Sequence, residues 1–70
     1  MMPLSYAIPG EENVIRKVGG SPEVKLHLEN LGFVAGGCVK VIAALNGNVI
    51  VKVKEARIAI SDEMARKIMV

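Results

Sequence analysis

Between Val39 and Val53 apolar residues recur at every second position on either side of Asn46-Gly47. Val39, Val41 and Ala43 come before the pair and Val49, Val51 and Val53 after it. A period of two around an Asn-Gly step predicts a β-hairpin with one buried face. Parity then chooses the register. A two-residue turn would set Val41 against Lys52, mixing core and solvent on one face. A three-residue loop, Leu45-Asn46-Gly47 with Gly47 left-handed in a bulge, pairs Val39 with Val53, Val41 with Val51 and Ala43 with Val49. The opposite face then carries Lys40 beside Lys52 and Ile42 beside Ile50. Because that face is partly apolar, cover from the rest of the domain or from a partner is expected.

Upstream, Pro9-Gly10 marks a turn after a short apolar lead, and Asn13 to Val18 reads as a first strand closed by Gly19-Gly20. At Ser21-Pro22-Glu23 three helix-start signals coincide: a capping hydroxyl, a proline at the first helical position and an acid at the positive end of the dipole. The period becomes 3.6, with Val24, His27, Leu28 and Leu31 on one face and Lys25, Leu26, Glu29 and Asn30 turned away. Gly32 supplies a left-handed stop. Downstream, Lys54-Glu55-Ala56 makes a turn and Arg57 to Ile60 a strand with Ile58 and Ile60 inward. Ser61-Asp62-Glu63 starts a second short helix, and Ile68-Met69-Val70 forms a last strand. Short strands with two small helices in 70 residues predict one domain, 1–70, built as a compact closed sheet, because closure disposes of strand edges.

Composition narrows the function more than the fold. Only Tyr6 and Phe33 are aromatic, 3% of the chain. Base-stacking surfaces, aromatic cages and aromatic grooves for proline-rich peptides all need more rings. The net charge is +2, and it is uneven. Residues 1–35 hold three cations against four acids, and residues 36–70 hold six cations against three acids. This is a basic half rather than the clustered Lys and Arg of a nucleic-acid binder, so no nucleic-acid partner is expected. The apolar runs are far shorter than the ~20 residues of a membrane span. With no signal-peptide pattern at its start and a single cysteine, the chain is expected to be cytoplasmic, without direct membrane insertion.

No spacing links the one imidazole, His27, to Cys38, Ser5, Ser21 or Ser61, so nucleophilic catalysis has no pair to act through, and an enzyme is not expected. Gly19-Gly20 and Gly36-Gly37 lack the Lys and Ser or Thr of a phosphate loop. The weak metal-ligand candidates are His27 and Glu23, four apart on one helix, and Cys38. Two ligands do not make a site, and no cofactor is expected. His27 reads as a side chain at the edge of the core, and Cys38 as a small buried hydrophobe.

Gly10-Glu11, the step Leu28-Glu29-Asn30-Leu31-Gly32-Phe33, Gly36 with Val39 and Val41, Asn48-Val49-Ile50-Val51, Arg57-Ile58-Ala59-Ile60, Met64-Ala65 and the ending Ile68-Met69-Val70 together resemble the FeoA family, ferrous iron transport protein A. The resemblance runs from about Leu4 to Val70. It implies a mainly β fold, a small SH3-like β-barrel with a short helix inserted after the first strand and another before the last. It also implies a cytoplasmic accessory or regulatory role in ferrous iron uptake, docking on the cytoplasmic, GTP-binding portion of the ferrous iron transporter B permease. The alternative is a transition-metal-binding sensor or corepressor-like module. The candidate docking residues are Leu26 and Glu29 on the helix, Phe33 after it, and a basic stripe of Lys40, Lys52, Lys54 and Arg57. Self-association is a further expectation for a domain this small.

Overall fold

The computed structural model describes residues 1–70. A single 3-10 turn, Leu4–Tyr6, leads into β1 (Glu12–Val14) and β2 (Lys17–Val18). Helix α1 (Pro22–Leu31) follows, then β3 (Cys38–Leu45), β4 (Asn48–Val53), β5 (Ala56–Ser61), α2 (Asp62–Ala65) and β6 (Ile68–Met69). One antiparallel sheet has the order β1-β3-β4-β5, and a second pairs β2 with β6. The expected order of strands and helices is therefore present. The expected closure is not, because the larger sheet ends at β1 on one side and β5 on the other.

The first strand is two strands, and its sequence holds the reason. Ile15 and Val18 are both buried, yet residues three apart cannot share one face of a strand with period two. The chain switches sheets between them. The Ile15 amide donates to the Gly37 carbonyl, and the Arg16 amide donates to the Met69 carbonyl.

Helix α1 forms where its signals lie. The Ser21 hydroxyl accepts the Val24 amide at 3.3 Å, and Pro22 occupies the first turn. Gly32 then adopts φ 111°. Its amide donates to the Glu29 carbonyl and the Phe33 amide to the Leu28 carbonyl, each at 3.0 Å. This pair of bonds is the Schellman stop, which brings the residue after the glycine back onto the helix's last turn. Phe33 and Leu28 are both 0% exposed. Helix α2 repeats the cap, its Ser61 hydroxyl accepting the Met64 amide at 3.1 Å.

The β3–β4 hairpin has the two-residue turn that parity argued against, together with the base register that parity chose. Val39↔Val53, Lys40↔Lys52 and Val41↔Val51 pair as the three-residue loop requires, but nearer the tip Ala43 pairs with Ile50 and Ala44 with Val49. Asn46 (φ 48°) and Gly47 (φ 80°) form a two-residue turn with both residues left-handed, the geometry that suits strand twist. The register shift between Val41 and Ala43 leaves Ile42 as an unpaired bulge residue. The three-residue loop and the Ala43–Val49 and Ile42–Ile50 pairings expected from it do not form, because Leu45 pairs with Asn48 and the bulge lies at Ile42 within β3 and not at Gly47 in the turn.

The core is aliphatic except for one ring. Leu4, Ile15, Leu28, Phe33, Val39, Val51, Val53 and Ile68 are its largest fully buried members, with Val24, Leu31, Ile58 and Met64 packed at its margin. No polar or charged residue is buried, so burial of apolar surface holds the fold without an internal polar network.

Candidate functional site

Alternation that sends Val39, Val41, Val51 and Val53 inward sends Lys40, Lys52 and Arg57 outward. Register places Lys40 opposite Lys52 and Lys52 opposite Arg57, so three cations stand side by side across β3, β4 and β5. Glu12 on β1 is the register neighbour of Lys40, and the row reads acid, base, base, base. Cross-strand neighbours lie about 5 Å apart at Cβ, and like charges so placed destabilise a sheet. None of the three is ion-paired: the one ion pair within 4.0 Å joins Arg66 to Asp62, at 2.9 Å.

Two shallow depressions flank the row. One, of about 290 Å³, lies between Glu12, Cys38, Lys40, Lys52, Lys54 and Glu55. The other, of about 270 Å³, lies between Gly10, Lys40, Ile42, Lys52 and Arg57. Lys54 reaches this region from the β4–β5 turn, where it holds φ 55°. The expected basic stripe is thus a single surface. Sequence alone did not supply its acidic border, Glu12 and Glu55, which the cross-strand register of β1 and the turn geometry bring in.

Helix α1 presents a second, separate candidate area. Leu26 is 59% exposed and Glu29 is exposed beside it. Phe33 does not belong with them. The Schellman turn folds it into the core, which corrects its assignment as a docking residue. His27 is exposed rather than at the core edge, because α1 buries only Leu28 and turns just Val24 and Leu31 against the core's margin. Cys38 is exposed rather than buried; it has the outward parity of Lys40, two residues on, and pairs with Val14 of β1.

The metal-ligand candidates do not assemble. Glu23 and His27 lie on exposed turns of α1 and Cys38 at the start of β3, and no three His, Cys, Asp or Glu side chains converge anywhere. The side-chain hydrogen bonds number three, each to main chain within three residues, and none joins His27 to a serine or to Cys38. A further depression of about 540 Å³ lies at the two-stranded sheet, lined by Lys17, Gly19, Gly20, Arg66 and Lys67 among others. Its Arg66 is already paired with Asp62. No helix is long and apolar enough to cross a membrane.

Comparison with known proteins gives this surface a context. Residues 2–70 match the family model described as the FeoA domain. The chain is 39% identical over its whole length to a Methanocaldococcus jannaschii protein named Fe(2+) transport protein A, covering 85% of that protein. Among solved structures it is similar to Stenotrophomonas maltophilia FeoA in complex with zinc, described as an SH3 domain protein. That likeness has a TM-score of 0.86 at 24% identity and covers 99% of this chain and 88% of that one. It is also similar to the FeoA protein of Chlorobium tepidum, with a TM-score of 0.85 at 27% identity, covering 97% of this chain and 67% of that one. The fold is accordingly the SH3-like one that the residues resemble, with its two short helices where they were expected.

Proposed function

The chain belongs to the FeoA domain family, and we propose that it is a cytoplasmic accessory of ferrous iron uptake that docks on the cytoplasmic, GTP-binding portion of the ferrous iron transporter B permease. One observation carries the docking part of this reading. Lys40, Lys52 and Arg57 stand side by side with none of them ion-paired within 4.0 Å, and the row meets an acid only at its Lys40 end, at Glu12. An arrangement that costs the free protein stability is accounted for if an acidic surface of a partner completes it. The aromatic-groove mode of peptide recognition does not carry over with the fold, since the only exposed ring is Tyr6.

Docking of this kind depends on long-range charge. Exposed cations steer encounter and are screened over about 8 to 10 Å at ordinary ionic strength. The test is a pull-down of the purified permease's cytoplasmic domains on the immobilised chain, with guanosine diphosphate, with a non-hydrolysable triphosphate analogue and with neither. Retention in at least one condition, weakening as salt rises, is the expected result. Absence of retention in all three rejects the reading.

A further inference from the structure

The larger sheet has two edges, and they differ. The β1 edge is three residues long and carries Glu12. The β5 edge is six residues long, Ala56–Ser61, with no proline and no bulge against β4. Natural edges of that length are usually blunted, because their free amides and carbonyls invite another strand.

The groups left free on β5 follow from the turn. Val53 and Ala56 flank the two residues Lys54 and Glu55, so they exchange the hydrogen bonds nearest the turn. In an antiparallel ladder bonded and non-bonded pairs then alternate. Ile58 and Ile60 therefore bond to β4, while the main-chain groups of Arg57 and Ala59 point away from it. No main-chain hydrogen bond made outside the strands and helices uses either residue, and both are exposed.

We propose that the β5 edge takes an extended segment of a partner protein as a fifth strand, and that this segment carries an acidic residue opposite Arg57. Charge decides the occupant. The added strand would continue the row of Lys40, Lys52 and Arg57, so a carboxylate there meets Arg57 directly, whereas a basic residue would extend the repulsion. Two residues along the same face, the neighbour is Ala59, which sits beside Ile50 in register. An apolar side chain fits at that second position. The recognised pattern is thus an acid and an apolar residue separated by one position in an extended stretch, bound mainly through main-chain hydrogen bonds. This goes beyond docking on the face, and it holds whichever protein supplies the strand.

The test uses the full chain against a phage-displayed library of random decapeptides. Selected peptides should share the acid-x-apolar pattern. Binding of a selected peptide should slow hydrogen exchange at the Arg57 and Ala59 amides. Ala59→Pro removes an outward amide that the sheet does not use, and an edge strand tolerates it. It should weaken the peptide about tenfold or more, the scale of a lost main-chain bond and its register. Arg57→Glu keeps every main-chain group and should turn the selection from acidic to basic peptides, which keeps the test informative if Ala59→Pro does not fold. Failure to enrich any strand pattern, or peptides bound equally by both variants, overturns the proposal. So does sedimentation showing that the chain pairs with itself through this edge, in which case a second copy is the occupant.

Discussion

The two faces of β3, β4 and β5 come from the same alternating residues, yet their chemistry is opposite. The inner face places Val39, Val41, Val49, Val51, Val53 and Ile60 between 0 and 4% exposed. The outer face sets three cations in a row beside the apolar row of Ala43, Ile50 and Ala59. Inward residues are fixed by the requirement to exclude water, so they report the fold. Outward residues were free to be neutral or alternately charged, and three adjacent cations work against the sheet. What folding does not explain on that face is where a binding role has room to show.

The contrast yields predictions that separate stability from docking. Phe33→Ala should produce the largest effect, a loss of about 3–5 kcal/mol in urea unfolding, because it empties a fully buried ring site. Unchanged stability would return Phe33 to the surface. Gly32→Val comes next, with a loss of more than about 1 kcal/mol, because a β-branched residue resists φ 111°. A Cβ there would meet nothing nearer than 3.7 Å, so the backbone and not a clash supplies the penalty, and Gly32→Ala should share most of it. Ser61→Ala removes the cap of α2 and should cost about 1 kcal/mol in thermal unfolding.

The smallest effect has the opposite sign. Lys52→Glu puts an acid between Lys40 and Arg57, turning two like-charge steps into opposite-charge ones. It should raise stability by a few tenths of a kcal/mol at low salt, with the gain shrinking as salt is added. A loss of stability would mean that the row does not repel itself.

How much of this was legible in the chain depended on the range of the interaction. Caps and stops act within a few residues, so Ser21, Pro22, Gly32 and Ser61 announced both helices. The hairpin was half legible, since the Asn46-Gly47 turn and the base register each had a signal, while the bulge at Ile42 arises only when both must hold at once. The 3-10 turn at Leu4–Tyr6 is too short to show a period. Phe33 was misplaced by reading it as a residue after a helix instead of as the closing residue of its Schellman stop. The basic stripe was visible as residue types, but its continuity needed the registers of β3, β4 and β5, which are long-range facts.

The proposed docking requires that the outer face carry its charge for a partner at some expense to the fold. It is tested most directly by titrating the permease's cytoplasmic domains against the wild-type chain and against Lys52→Glu at low salt, with melting curves of both. The claim predicts a variant that melts no lower than wild type yet binds at least about tenfold more weakly, as loss of a central interface charge would produce. A variant that folds as well and binds equally tightly would contradict it.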